Sequence, residues 1–335
     1  MKYIIGVLRH EEIGHAEEQI IAAGREKDVE IVIIDPFTIT IGIQPDFICN
    51  HGKILKCDGI ISRCEISSCL AAECEAYLRL LQFYENKNIP IINSSQSIIK
   101  CQDKFRTHYC LAQNGIPTPK TFITYEYKSG IKLLDEGKLN FPFVIKKIYG
   151  SRGTGVYKVD SFKSLERLHE SCFDPKEVLF YQEFLYLERN RKGEVRDYRV
   201  WVVRDKRTGK PKTLGAVHRN AKSSNFLTNS SHGGYVTEIK NLSPEISDLG
   251  ERALATVSAD VAGVDIARTT EGRLFVEEIN ISFETGPRTQ IFIGDIWSEV
   301  IDLLIARIEA KKEKSFSIIN SSLFSSNEKI EVTTA

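Results

Sequence analysis

Between Tyr3 and Ile92 short β-branched runs alternate with stretches whose apolar residues recur at helical spacing, and this alternation constrains the fold more than any other feature. Tyr3–Leu8 reads as a strand, and Ile13, Ala16, Ile20 and Ala23 then share one face of a helix. Val29–Ile34 and the run 59–61 read as further strands, Leu70, Cys74, Tyr77, Leu81 and Tyr84 as a second amphipathic stripe, and 89–92 as a returning strand. Strands joined through helices pair in parallel, so this third of the chain predicts a parallel sheet with helices on its faces, a Rossmann-like α/β arrangement.

The pattern changes near residue 95. Asn114-Gly115-Ile116-Pro117-Thr118-Pro119 is a junction rich in breakers, the run 141–148 leads into a glycine-rich turn, and from Leu179 onward strands dominate, notably 199–203, 214–217 and 274–279. Trp297, Ile301, Leu304 and Ile308 mark a closing helix, and the Ser/Asn-rich sequence beyond Lys314 predicts a mobile tail. A chain of 335 residues, 42% of them hydrophobic, exceeds one small core. The shifts divide it into a Rossmann-like N-terminal domain (1–95), a small lobe with the glycine-rich loop (96–183), a strand-rich C-terminal lobe (184–313) and the tail (314–335).

Lysine plus arginine equal aspartate plus glutamate at 45 each, so no general attraction draws the chain to nucleic acid or membrane, and neither is expected as a partner. Apolar runs such as 31–34 fall far short of the roughly 20 residues a bilayer span needs. The eight cysteines all lie between Cys49 and Cys172 without metal-wrapping spacing or a secretory leader, which predicts reduced, buried thiols in a cytoplasmic protein. Cys64, Cys69 and Cys74 recur every five residues, a step that does not stack side chains on one helix face.

The residues that carry chemistry begin with Gly263-Val264-Asp265-Ile266 and Phe275-Val276-Glu277-Glu278-Ile279-Asn280, two strands of a hairpin turning near Glu271-Gly272. A symmetric turn puts Asp265 opposite Glu278, with Asn280 on the same face and Glu277 turned away toward the surface. Opposed carboxylates repel unless a cation lies between or beside them, and two carboxylates with an amide oxygen suit Mg²⁺. A solvated strand face would carry the same residues. On the metal reading, loss of either carboxylate abolishes turnover, leaves the fold largely intact and even relieves repulsion.

A second feature is Val144-Ile145-Lys146-Lys147 followed by Gly150-Ser151-Arg152-Gly153-Thr154-Gly155, a strand ending in lysine and a loop whose N–H groups can close over phosphates. No Lys-Ser/Thr follows Gly155, so this is not a Walker A loop, and a plain hairpin turn would look alike. Between Arg189 and Lys222 twelve basic residues face only Glu194, Asp197 and Asp205. Arg199, in a strand, and Arg219, just after one, are placed to hold a guanidinium against phosphate oxygens, while the remainder reads as solvated surface.

Taken in order, Ser62-Arg63, Ile92-Asn93-Ser94, Gln102-Asp103-Lys104, Gly115-Ile116-Pro117-Thr118-Pro119-Lys120-Thr121, Lys146 with its loop, Gln182-Glu183-Phe184, Arg196-Asp197-Tyr198-Arg199-Val200, Arg219, Gly233-Gly234, Ala262-Gly263-Val264-Asp265 and Glu278-Ile279-Asn280 resemble the ATP-grasp superfamily. Within it they resemble the RimK-like ligases, from Asp35-Pro36 to about Gly286. The resemblance implies an ATP-grasp fold preceded by the Rossmann-like domain. Lys104 and Lys146 would meet nucleotide phosphates with Gly150, Ser151, Arg152, Gly153 and Gly155, and Gln182, Glu183 and Phe184 would form the adenine hinge. Asp197 would lie near the ribose, Arg199 and Arg219 at the γ-phosphate or acyl phosphate, and Asn229 near the transferred group. Asp265, Glu278 and Asn280 would hold two Mg²⁺ ions, with Mn²⁺ as an alternative.

The activity so implied is ATP-dependent joining of a carboxylate to an amine through an acyl phosphate. The amine donor would be glutamate or a similar amino acid, and the carboxylate would belong to an acidic small molecule, peptide or carrier protein; a homo-oligomer is expected. Two departures fall on the substrate side: Ile281-Ser282-Phe283-Glu284-Thr285-Gly286 stands where relatives often have Ser-Pro-Gly, and a charged insertion occupies 187–195. A dipeptide or peptide-modifying ligase is the alternative within the class. A non-catalytic ATP-binding regulator is the alternative outside it, and the complete Asp265, Glu278 and Asn280 set speaks against that. Arg63 matches a family arginine whose partner the resemblance leaves open.

Overall fold

The alternation of the first third folds as it reads. In chain order come β1 (Tyr3–Leu8), α1 (His15–Glu26), β2 (Val29–Ile34), a meander of β3 (Ile39–Ile43), β4 (Asp46–Asn50) and β5 (Lys53–Ile54), then β6 (Gly59–Ser62), α2 (Ala71–Asn86) and β7 (Ile91–Ile92). The strands β2-β1-β6-β7 form a parallel sheet. Ala16, Ile20 and Ala23 of α1 and Tyr77, Leu81 and Tyr84 of α2 are buried, whereas Ile13 precedes its helix and is exposed. The antiparallel meander was not expected, although Ile39, Ile41 and Ile43 alternate with Thr40 and Gly42 as a strand should. The structure, a computed structural model, describes residues 2–9, 12–63, 71–148, 155–174, 177–222, 226–228, 233–283, 285–286, 289 and 292–327, and of 71–73 and 315–327 only the backbone.

After α3 (Ser95–Gln102) and α4 (Lys104–Gln113) a small lobe is built from β8 (Thr121–Thr124), α5 (Tyr127–Asp135), β9 (Phe143–Lys147), β10 (Val156–Val159), α6 (Phe162–Ser171) and β11 (Leu179–Glu183). Its antiparallel sheet runs β10-β9-β11-β8, so the glycine-rich segment joins the two strands of the β9–β10 hairpin. Strand alternation sorts the side chains: Phe143, Ile145, Val159, Leu179 and Tyr181 pack with Leu165 and Phe173 into a core of the lobe's own. Val144, Lys146, Val156 and Gln182 take the other face.

The large sheet comprises β12 (Arg196–Arg204), β13 (Pro211–Asn220), β14 (Tyr235–Glu238), β15 (Val261–Arg268) and β16 (Leu274–Asn280), all antiparallel in the order β14-β13-β12-β15-β16, with α7 (Pro244–Val257) between β14 and β15 and α8 (Ile296–Asn327) after β16. Tyr198, Val200 and Val202 face α7 through Leu249, Ala253 and Leu254, in a core that also takes in Tyr77 and Leu81 of α2. Trp201, Val203, Val217 and Val261 face the other way, into a core shared by α8 and the N-terminal sheet. The first and last parts of the chain therefore share cores, and only the small lobe buries its apolar face alone. Arg219 lies inside β13 rather than after it. The backbone of α8 continues past Lys314 to Asn327, so the first part of the expected tail is helical. Among the described residues no helix is long and apolar enough to cross a membrane.

Candidate active site

A cavity of about 390 Å³ lies between the small and large sheets. The small lobe contributes Val144 and Lys146 from β9, Val156 and Lys158 from β10 and Gln182 from β11, and the chain from Glu183 to Leu187 closes one side. Helix α4 contributes Lys104 and His108, because Asp103 caps it by accepting from the N–H groups of Phe105 and Arg106 and so sets Lys104 at its first turn. The large sheet contributes Asp197, Arg219, Asp265, Glu277 and Glu278. Gly155, at φ +76, admits no side chain, since a Cβ would approach Lys147 Cγ to 2.9 Å.

Register places charged residues side by side across the large sheet, two pairs of opposite sign and one of like sign. Asp197 pairs with Arg219 across β12–β13, Arg199 with Asp265 across β12–β15, and Asp265 with Glu278 across β15–β16. Arg219 donates through Nε and Nη2 to the two Asp197 oxygens at 2.8 and 2.6 Å, and its Nη1 lies 2.9 Å from Asp265 Oδ2. Arg199 grips Asp265 in the same two-point manner, with its Nη2 at 2.8 Å from Oδ2. Its side chain crosses Gly263, where a Cβ would lie 2.8 Å from Arg199 Cδ, so glycine is required there. Burial pushes the Asp265 carboxyl up, but the Arg199 and Arg219 charges outweigh it and hold the group below its ordinary range. Asp197 Oδ2 also accepts from Thr228 Oγ1 at 2.6 Å, so this carboxylate is itself held while it holds Arg219.

Glu278 has no hydrogen-bonded partner among the described residues, and Asn280 Nδ2 reaches Asp265 Oδ2 at 3.3 Å. The oxygen donors of Asp265, Glu278 and Asn280 fit a hard divalent cation, and Asp265 would share its carboxylate with the two guanidinium groups. No cluster of three His, Cys, Asp or Glu side chains able to hold a metal occurs among the described residues. Arg199 and Asn280 do not line the cavity themselves; they meet it through Asp265.

Glu277 corrects the sequence reading. The register shifts between Asp265 and Ile266, so Glu278 faces Asp265 while Val276 faces Ile266, and this bulge leaves Glu277 in the cavity wall beside Glu278. Burial pushes its carboxyl up to about 7, against the pull of Lys146. His108 was also missed: its Nε2 lies 3.1 Å from the Glu277 carbonyl oxygen, its ring sits edge-on to Phe180, and burial lowers its pKa to about 3, so the neutral ring donates there. Only its helical offset of four from Lys104 hinted at a shared face.

On the opposite wall Lys146 has no partner among the described residues, whereas Lys147, on the other strand face, pairs with Glu177 at 3.0 Å. Lys104 donates to the Ile148 carbonyl at 3.5 Å, and burial lowers its pKa while Glu278 opposes the shift. At the hinge, Gln182 donates to Thr121 Oγ1 at 3.1 Å, Glu183 accepts from the Lys120 N–H at 2.8 Å, and Phe184 lies beneath Lys158 at 5.0 Å. Gly150, Ser151, Arg152, Gly153 and Asn229, like Cys64 and Cys69, lie outside the described residues. Of the remaining cysteines Cys49 and Cys101 are buried and Cys57, Cys74, Cys110 and Cys172 half-buried. Arg63 is not in the cavity: it is buried, donating to Glu17 Oε1 at 2.8 Å and the Phe283 carbonyl at 2.6 Å over the Trp297 ring, and so ties the N-terminal sheet to the chain after Asn280.

Comparison with known proteins adds four findings. A model of the RimK-like ATP-grasp domain matches residues 101–304. A probable alpha-L-glutamate ligase of Shewanella amazonensis is 28% identical over 303 residues, covering 90% of this chain and 93% of the relative. A ribosomal protein bS6–L-glutamate ligase of Escherichia coli O7:K1 is 29% identical over 255 residues, covering 75% of this chain and 79% of the relative. The ATP-grasp ligase PsnB, solved with a phosphomimetic variant of its minimal precursor, Mg and ADP, superposes with a TM-score of 0.66 at 18% identity over 91% of this chain and 98% of its own, which shows a shared fold.

Proposed function

This chain belongs to the RimK-like ATP-grasp family and is an ATP-dependent carboxylate–amine ligase, and we propose that it adds glutamate or a similar amino acid to a carboxylate of an acidic small molecule, peptide or carrier protein. The observation that carries the reading is the in-register pair of Asp265 and Glu278 beside two guanidinium groups that carboxylates already hold in place. The amine assignment is supported by the two glutamate ligases to which the chain is similar.

In the reaction the γ-phosphoryl group of ATP passes to a carboxylate oxygen, giving an acyl phosphate and ADP. The amine nitrogen then bonds to the acyl carbon as the carbon–oxygen bond to phosphate breaks, an amine proton is lost, and an amide and phosphate result. Lys146 and Lys104 offer ammonium groups to the nucleotide phosphates. Arg219 presents a fixed guanidinium to the cavity where negative charge builds and needs no reorganisation because Asp197 and Asp265 hold it, while Arg199 acts through the Asp265 carboxylate that it grips. Asp265, Glu278 and Asn280 would hold Mg²⁺, two ions in our reading, which when bound neutralises phosphate charge. Glu277 and His108 shape the cavity wall between the lysines and the sheet.

The test is ADP release with Mg²⁺ and ATP across a panel of common amino acids as amine donors, with free acids and acidic peptides as acceptors. Turnover that depends on L-glutamate supports the assignment; turnover with other amino acids but not with acidic ones sinks it.

A further inference from the structure

Building on the ligase reading, we propose that the hairpin of residues 187–195 is a docking surface at the cavity mouth for a polypeptide with clustered carboxylates, the acceptor class that brings the substrate carboxylate to the site.

The hairpin is a preformed part of the wall. Leu187 bridges Thr269 and Arg189 bridges Val195, the Glu188 N–H donates to the Arg268 carbonyl at 2.8 Å, and the Thr270 N–H donates to the Tyr186 carbonyl at 2.8 Å. On its other side Asn190 Nδ2 reaches Asn220 Oδ1 at 3.0 Å and Tyr235 Oη at 3.3 Å. Leu187, Arg189 and Val195 line the cavity.

Its charges are sorted by direction. Glu188 accepts from Arg196 Nε at 3.0 Å, and Glu194 from Asn190 Nδ2 at 2.8 Å and Tyr235 Oη at 2.5 Å, so both carboxylates are used internally. Arg189, Arg191, Lys192 and, nearby in sequence to the end of β13, Lys222 are exposed, and none has a carboxylate partner among the described residues. Arg189 is oriented by donating from Nη1 to the Gly193 carbonyl at 2.6 Å, and Lys192 lies over the Tyr235 ring at 5.7 Å. At the far end of β12, about 30 Å away for nine residues, the lysines are differently disposed: Lys206 pairs with Asp302 at 2.7 Å and Lys212 with Glu299 at 2.9 Å. The basic stretch thus splits into an end against α8, where Lys206 and Lys212 are paired and Arg207 and Lys210 are exposed, and an end at the cavity mouth where none of the four exposed cations meets a carboxylate among the described residues.

The partner's size and class follow from position. Arg191 and Lys192 stand outside the cavity lining, so an anion that meets them and also enters the cavity must extend beyond it, as a polypeptide does and a single amino acid does not. Carboxylates rather than nucleic acid fit, because the reaction consumes a carboxylate here and the cations form a short rim, not the long basic track with stacking aromatics that binds single strands.

The experiment uses fluorescence anisotropy with labelled poly-L-glutamate and with labelled oligodeoxythymidine at low and moderate salt, and calorimetry with Mg²⁺–ADP on the same protein. Poly-L-glutamate should bind in preference to oligodeoxythymidine, more weakly as salt rises. The double variant Arg191→Glu/Lys192→Glu should weaken that binding by about tenfold or more with Mg²⁺–ADP affinity unchanged. Lys210→Glu, an exposed cation at the far end of β12, should alter neither. Equal binding of poly-L-glutamate by wild type and double variant, preference for the oligonucleotide, or no polymer binding by a protein that binds Mg²⁺–ADP overturns the docking surface. Failure to bind Mg²⁺–ADP overturns the ligase reading instead.

Discussion

The two walls of the cavity solve the problem of buried charge in opposite ways. On the large sheet each guanidinium is gripped by a carboxylate: Arg219 by Asp197 and Asp265, Arg199 by Asp265. On the small lobe Lys146 faces the cavity with no hydrogen bond or ion pair among the described residues, although its charge is felt by Glu277. A compensated lattice fixes its donors before any ligand arrives, whereas an unmatched ammonium gains most when an anion arrives. The difference predicts where a substitution costs stability and where it costs only binding.

The largest effect should come from Asp265→Ala. Opposed carboxylates alone suggest relief of repulsion, but the structure reverses that expectation, since the change strands Arg199 and takes from Arg219 one of its two carboxylates, and should destabilise the fold by about 3–5 kcal/mol as well as end turnover. Urea denaturation checks this, and an unchanged midpoint would remove the contrast between the walls. Glu278→Ala, by comparison, should end turnover with stability nearly kept, because no donor depends on it.

Arg219→Ala should lower kcat by about 10²–10³, and Arg219→Lys should rescue little, because an ammonium cannot span both Asp197 oxygens and still reach Asp265. Steady-state ADP release decides it; near-wild-type kcat in the lysine variant would show that the two-point grip is dispensable. Next in size, Lys146→Ala should weaken Mg²⁺–ADP binding by about tenfold with the denaturation midpoint unmoved. Lys147→Ala, which breaks the Glu177 pair on the other face, should leave nucleotide affinity alone. Equal calorimetric losses in both variants would place neither lysine at the phosphates.

The smallest effect concerns Glu277, which sits between the walls. Its folded pKa, about 7 against an ordinary 4.5, means that its stabilising contribution is complete below 4.5 and lost as pH rises through 7. His108 runs the other way, present above 6.5 and lost as pH falls toward 3, but it is common to wild type and variant. Glu277→Gln should therefore gain stability relative to wild type between pH 5 and pH 8, by about 1 kcal/mol or more. A pH-independent difference in denaturation midpoints would mean that the carboxyl is solvated.

Much of this was legible in local pattern. Tyr3–Leu8 and Val29–Ile34 are strands with the bounds their β-branched runs suggest: the inner strand of a parallel sheet, buried nearly throughout, writes itself as continuous apolar sequence, and the half-exposed edge strand interrupts its run only at Glu30. Lys146 and Lys147 part to opposite faces by strand alternation alone. The pairing of Asp265 with Glu278 followed from a hairpin, in which neighbours in sequence are neighbours in space.

What the sequence by itself determined was the kinds of group and their phase along each strand: carboxylates and an amide on β15 and β16, arginines on β12 and β13, lysines on β9 and α4. Only the tertiary structure decided which charges meet. Arg199 and Asp265 stand 66 positions apart, and His108 and Glu277 169 apart, so no local period links them. Glu277 entered the cavity because the β15–β16 ladder carries an extra residue, and a bulge moves a side chain across a sheet without changing a letter of the sequence around it.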